Sequence, residues 1–167
     1  AGLAAGRNPI DTANLDDFDN MIDTNIKGLL YASKAVIPFF KELNKGHIFN
    51  IASVAGKYTY ANGNVYCASK HAVDALSRAM RIDLLPYNIK VTNIAPGAVD
   101  TEFSLVRFKG DKEKADSIYN GFTPLKAMDI AEVIYFASTQ PEHVCLNDIT
   151  ITPTAQADVN NIIKKEA

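Results

Sequence analysis

The sequence has little cysteine, no tryptophan and almost no net charge. Two cysteines among 167 residues give neither a disulfide framework nor zinc-ligand spacing, so we expect no metal site and a reducing, cytoplasmic setting. A net charge of −2 with scattered basic residues argues against a nucleic-acid partner. No uncharged apolar run reaches the roughly 18 residues of a membrane span, so we expect no membrane partner.

The glycines of this sequence are too widely spaced to form a glycine-rich dinucleotide-binding motif. No two of the nine glycines lie two positions apart, so the glycine-rich dinucleotide fingerprint is absent from these residues. The chain is 47% hydrophobic, enough for a sizeable core, and we treat residues 1–167 as one domain.

The most informative stretch is residues 46–70. Its apolar run from Ile48 to Ala52 predicts a short buried strand, which places Ser53 at the carboxyl end of that strand. In open α/β sheets the ligand crevice lies beyond the carboxyl ends of the strands. Ser53 is therefore a candidate for hydrogen bonding to a substrate oxygen.

Tyr66 and Lys70 lie four positions apart in a helix predicted over residues 63–85, so they share one helix face. A nearby ammonium favours the phenolate, and we expect Lys70 to lower the pKa of Tyr66. The spacing alone is weak evidence, because seven tyrosines and thirteen lysines make such a pair common by chance. An exposed tyrosine beside a solvated lysine is the alternative. Further along this helix, Asp74 and Arg78 are expected to form an exposed pair.

Periodicity predicts the remaining elements. Asn14 is expected to cap a long helix that runs to about Leu43 and is bent or loosened near Gly28 and Pro38. The other predicted elements are a strand over 89–95, a helix over 129–139 and a strand over 148–152.

Four motifs in order resemble those of the short-chain dehydrogenase/reductase family, across nearly the whole chain. They are Asn25-Ile26-Lys27-Gly28, Ile51-Ala52-Ser53, Tyr66-Cys67-Ala68-Ser69-Lys70, and Pro96-Gly97 followed by Thr101. The resemblance implies an α/β fold, the C-terminal part of a doubly wound, Rossmann-like parallel sheet with helices on both faces. It also implies glycine-rich strands before this region, so we expect a further N-terminal segment.

The resemblance assigns four catalytic residues. Tyr66 is the implied acid and base, Lys70 tunes it and orients the cofactor ribose, and Ser53 polarises the substrate oxygen. Asn25 is implied to support a proton relay at a helix kink; the alternative is a polar residue in an ordinary helical turn. The implied cofactor-binding residues are Ala1, Gly2, Tyr66, Lys70, Pro96, Gly97, Val99 and Thr101.

Residues 101–122 lack one clean period and fit a lid over the substrate. The segment from Glu102 to Asp111 resembles the subgroup that oxidises serine, allo-threonine and related 3-hydroxy acids, and this implies NADP as the cofactor. Arg107 is then expected to face the substrate carboxylate, with Ser53 and Tyr66 binding the hydroxyl. A structural salt bridge is the alternative for Arg107.

Two other functional classes stay open from the sequence. An epimerase or dehydratase of the extended family also uses a tyrosine and lysine pair, although the short loops argue against it. A non-catalytic scaffold would keep only the oligomer helices. The family resemblance further implies a homodimer or homotetramer formed through the long helix and the helix over 63–85.

Overall fold

A computed structural model describes residues 2–165 of the chain, so Ala1, a predicted cofactor-binding residue, lies outside the described residues. The α-helices are α1 (Leu15–Ile22), α2 (Gly28–Glu42), α3 (Asn64–Leu84), α4 (Phe103–Arg107), α5 (Lys112–Ser117) and α6 (Ala127–Ser138). The strands are β1 (Gly46–Ile51), β2 (Ile89–Pro96), β3 (Val99–Asp100), β4 (Leu125–Lys126) and β5 (Asp148–Ile151).

The main sheet is parallel and has the order β1-β2-β5. Ile51 of β1 pairs with Ile94 of β2, and Ala95 pairs with Thr150 of β5, so the three strands end along one edge. Nearly every residue of β2 is buried, as expected for a central strand covered on both faces. Helices lie on both sides of this sheet, which confirms the predicted α/β class.

Two apolar clusters hold the helices in place. Met80 and Leu84 of α3 pack against Val91 of β2, with Ile37 and Phe40 of α2 at the margin. The second cluster lies beside the carboxyl edge of the sheet and contains Ala4, Met21, Ala55, Tyr66 and Cys67. The beginning of α3 is therefore anchored by packing at the point where the strands end.

The long helix predicted from Asn14 to Leu43 is interrupted. Asn14 caps α1 as expected, accepting a hydrogen bond from the Asp16 amide at 2.8 Å. A five-residue π-helix, Asp23–Lys27, then separates α1 from α2, and the loosened turn contains Asn25 itself. The π-helix is rare, and it occurs mostly as a single wide turn inserted into an α-helix, as it does here.

The predicted lid over residues 101–122 contains the short helices α4 and α5. The parallel pair β3 and β4 brackets this segment and was not predicted, because two-residue strands leave no readable alternation.

Within residues 2–165, no helix combines the length and the apolarity needed to span a bilayer.

Candidate active site

A cavity of about 740 Å³ opens at the carboxyl edge of the parallel sheet. Its walls contain nearly all of the predicted site residues that the structure describes: Gly2, Ser53, Tyr66, Lys70, Pro96, Gly97, Val99, Thr101 and Arg107. The exception is Asn25, which does not line the cavity and is buried next to it. The volume is in the range of cavities that hold organic ligands, about 300–1,000 Å³.

Ser53 connects the ends of two strands. It follows β1 in an extended conformation, and its Oγ accepts a hydrogen bond from the Ala55 amide at 3.1 Å, which caps the 3₁₀ turn Val54–Gly56. The same hydroxyl donates to the Pro96 carbonyl at the end of β2, at 3.3 Å. The side chain is therefore fixed at the cavity wall by the two loops that it joins.

Tyr66 is buried in the first turn of α3, with 7% of its surface exposed. Burial raises the pKa of its phenol well above the ordinary value, while the Ser53 hydroxyl and the Arg107 charge oppose that rise. The prediction that Lys70 lowers the pKa of Tyr66 below its ordinary value is therefore wrong. The pKa rises because desolvation penalises the phenolate more than the Ser53 hydroxyl and the Arg107 charge favour it.

Lys70 lies one turn further along α3, and its Nζ is 5.9 Å from the centre of the Tyr66 ring. The ammonium donates a hydrogen bond to the Ile51 carbonyl at 3.0 Å. Burial lowers the pKa of Lys70 to about 8. A Cβ on Gly2 would lie 3.0 Å from this Nζ, and Gly2 has φ of +146°, so glycine suits that position in both space and backbone conformation.

Asn25 joins the first described residues to α3. Its Oδ1 accepts from the Leu3 amide at 2.8 Å, and its Nδ2 donates to the Leu3 carbonyl at 2.8 Å and to Ser69 Oγ at 3.0 Å. Ser69 in turn donates to the Tyr66 carbonyl at 2.8 Å. Asn25 thus makes more specific contacts than a polar residue in an ordinary turn; its role in a proton relay stays a prediction.

Arg107 ends α4 and is buried, with 9% of its surface exposed. Its guanidinium carbon lies 5.4 Å from the centre of the Tyr66 ring and 5.6 Å from that of Tyr60, and its Nε donates to the Gly6 carbonyl at 3.1 Å. No salt bridge joins it to a carboxylate within residues 2–165, so the alternative of a structural salt bridge is not found there.

Gln156 is a site residue that sequence reasoning missed. It is buried, and its Oε1 accepts from the Ala98 amide at 2.8 Å. A Cβ on Gly97 would collide with the side-chain amide of Gln156. Gln156 therefore holds the segment that carries Pro96, Gly97 and Val99 against the cavity, a long-range contact with no local sequence signal.

The prediction of an exposed pair between Asp74 and Arg78 is correct in its partners and wrong about the exposure of Asp74. Asp74 was expected to form an exposed pair with Arg78, and the two are indeed 2.9 Å apart, but the Asp74 residue is only 9% exposed. Lys57 occupies its buried side at 2.6 Å. The helical spacing revealed one partner and could not reveal the second, which comes from a distant loop.

The family model described as short chain dehydrogenase matches residues 1–111. Together with the parallel fold and the cavity, this match shows that the chain belongs to the short-chain dehydrogenase family.

Individual relatives carry narrower descriptions than the family model does. The chain is 42% identical over 167 residues to an NADP-dependent 3-hydroxy acid dehydrogenase of Schizosaccharomyces pombe, covering 100% of this chain and 64% of the relative. It is 46% identical over 158 residues to the NADP-dependent 3-hydroxy acid dehydrogenase YdfG of Escherichia coli K12, covering 94% and 64%. A solved structure described as the closed form of serine dehydrogenase complexed with NADP+ superposes with a TM-score of 0.93 at 44% identity, covering 99% of this chain and 67% of that one. The chain thus spans somewhat less than two thirds of these curated relatives.

Proposed function

We propose that this chain is the catalytic and substrate-binding part of an NADP-dependent oxidoreductase acting on the hydroxyl of a small 3-hydroxy acid, such as serine or allo-threonine. The similarity to relatives named for that activity supports the reaction class. The arrangement of side chains around the cavity supports the substrate class.

The observation that carries the proposal is the position of Arg107 beside Tyr66. A guanidinium that is mostly withdrawn from water, with no carboxylate partner within residues 2–165, favours an anion supplied from the cavity. The phenol and the Ser53 hydroxyl line that same cavity. A molecule with a carboxylate and a nearby hydroxyl can therefore engage both groups at once.

The chemistry of this chain's residues is acid and base catalysis. Tyr66 is the proposed proton donor to a carbonyl oxygen, and because burial raises the pKa of its phenol, the phenolate left after donation depends on nearby positive charge and hydrogen bonds. In the reverse direction it takes the proton of the alcohol, assisted by the positive charges of Arg107 and Lys70. Ser53 donates its hydroxyl proton to the Pro96 carbonyl in this structure, and rotation of the hydroxyl would direct that proton to the reacting oxygen to stabilise negative charge there.

NADP, when bound, supplies the hydride acceptor or donor. The residues proposed to hold its nicotinamide end are those already found on the cavity wall, with Ala1 outside the described residues. They are Gly2, Tyr66, Lys70, Pro96, Gly97, Val99 and Thr101. Glycine is required at both positions by close packing at the cavity wall: a Cβ would press on the Lys70 ammonium at Gly2 and on the Gln156 side-chain amide at Gly97.

We also propose a cytoplasmic homodimer or homotetramer. Large apolar side chains are exposed on α2 and near the end of α3, including Tyr31, Phe39, Leu43, Ile82 and Leu85. A second copy of the chain would remove this surface from water. Light scattering of the full protein measures the subunit number directly.

The test of the function uses the full protein with NADP+ and a substrate panel. We expect serine and allo-threonine to reduce NADP+, and a neutral alcohol of similar size to do so much less efficiently. Binding of NADP+ without turnover of any hydroxy acid would favour the scaffold alternative. Epimerisation without net reduction would favour the extended-family alternative.

A further inference from the structure

A charged cluster lies directly behind the Ser53 turn. The Lys57 ammonium contacts the Asp74 carboxylate at 2.6 Å and also the carboxylate of Asp148. The Nδ2 of Asn93 donates to the same Asp74 oxygen at 2.9 Å, and Arg78 contacts its other oxygen from the exposed side. The cluster therefore joins the loop after β1 to α3, β2 and β5.

Lys57 is coupled to Ser53 through a tight turn. The Gly56 amide donates to the Ser53 carbonyl at 2.8 Å, and the Lys57 amide donates to the Val54 carbonyl at 3.0 Å. Together with the cap from Ser53 Oγ to Ala55, these bonds leave the turn few ways to deform. The turn therefore connects the backbone of Lys57 to the Ser53 hydroxyl.

Asp74 is coupled to the other reacting groups through α3. Tyr66, Lys70 and Asp74 follow one another at intervals of four residues and form one stripe along the helix. The Lys57–Asp74 contact therefore ties the element that carries Ser53 to the element that carries Tyr66 and Lys70.

We propose that the Lys57–Asp74 ion pair is a positioning device for the reaction: it fixes the Ser53 hydroxyl relative to Tyr66 and Lys70. This inference rests on the proposed function of the cavity. A partly buried ion pair adds little net stability compared with apolar packing, but removal of one partner leaves an uncompensated charge. Asp74 and Lys57 touch no substrate in this account and act through the turn.

The experiment removes each charge in the full protein. We expect Asp74→Asn and Lys57→Gln each to lower kcat for serine oxidation by about tenfold or more, because small misplacements of reacting groups are costly. The KM for serine and the Kd for NADP+ should change by less than about threefold, since neither residue lines the cavity. The double variant should be no slower than the slower single variant, as expected for two members of one unit.

Amide hydrogen exchange gives a readout that does not depend on activity. Both single variants should speed exchange at Ala55 and Gly56, the amides that bond to Ser53, and Asp74→Glu should restore slow exchange in part. Arg78→Ala is the matched control, because it removes the exposed partner of Asp74 and should leave kcat and exchange near wild type. If Asp74→Asn does not fold, Lys57→Gln supplies both readouts, since the Lys57 side chain is partly exposed.

The inference is overturned if the single variants lose thermal stability while kcat per folded molecule and exchange at the Ser53 turn stay unchanged. It is also overturned if the effects of the two single variants on kcat multiply in the double variant. A wild-type protein without turnover would instead count against the proposed function, and the exchange experiment would still decide whether the ion pair holds the Ser53 turn in place.

Discussion

Gly56 lies so close to Lys70 that a Cβ at Gly56 would be 2.6 Å from the Lys70 carbonyl oxygen. Main chain therefore packs directly on main chain where the turn after β1 meets α3. No side chain larger than hydrogen fits there without moving one of the two elements. The contact sets the distance between Ser53, which begins the turn, and the stripe of α3 that carries Tyr66 and Lys70.

Replacing Gly56 with alanine tests this packing. We expect Gly56→Ala to push the turn away from α3, to lower the thermal midpoint and to lower kcat for serine oxidation by about tenfold or more. Steady-state kinetics and thermal unfolding of the full protein measure both effects. Gly28→Ala is the matched control, because a Cβ there meets only the Asp23 carbonyl at 3.4 Å, an ordinary contact. A Gly56→Ala enzyme with unchanged kcat would show that the close approach does not position Ser53.

Arg107 should distinguish acids from neutral alcohols. Its Nε also holds the Gly6 carbonyl, and loss of that bond would affect all substrates alike. Loss of the charge should also weaken support for the Tyr66 phenolate with every substrate, but only a carboxylate substrate loses its own ionic partner as well. We therefore expect Arg107→Ala to lower kcat/KM for serine at least about thirtyfold more than for a matched neutral alcohol. Arg107→Lys should recover part of the difference, because lysine keeps the charge without the planar fork. Equal losses on both substrates would remove the carboxylate role.

The environment of His47 leads us to expect that the free energy of unfolding depends on pH between about 4 and 7. Burial, with the positive charge of Lys90, lowers the pKa of His47 to about 4, and its Nε2 lies 2.7 Å from the Thr92 hydroxyl. Above the unfolded pKa of about 6.5 the ring is neutral in both states. As the pH falls toward 4, the unfolded chain binds a proton that the folded chain does not, so stability is lost across that window.

The measurement is urea unfolding at several pH values between about 7 and 4. His47→Gln should lose less stability over that interval than the wild type, because glutamine does not titrate. His143→Gln serves as a control, since His143 is exposed. Parallel curves for wild type and His47→Gln would show that His47 does not stay neutral in the folded protein.

The sequence was most informative where one local pattern determines the outcome. The apolar run before Ser53 predicted β1, and the four-residue interval predicted that Tyr66 and Lys70 share a face of α3. A strand end and a helix start that meet at the sheet edge then bring these side chains to one cavity. The catalytic roles themselves stay predictions.

The sequence was least informative about burial and long-range contacts. The charge of Lys70 was visible in the sequence, but the desolvation that raises the pKa of Tyr66 was not. The spacing of Asp74 and Arg78 suggested a surface pair, whereas the Lys57 contact that accompanies burial of Asp74 comes from another loop. Gln156 likewise reaches Ala98 across more than fifty residues of sequence.

The most direct test of the central claim, that Tyr66 is the acid and base of this site, is the kcat of Tyr66→Phe for serine oxidation by NADP+. The substitution removes only the phenol oxygen, and we expect kcat to fall by about a hundredfold or more while the Kd for NADP+ changes little. Tyr58→Phe, at a side chain that is half exposed, is the control and should retain wild-type activity. A Tyr66→Phe enzyme with kcat close to that of the wild type would contradict the account.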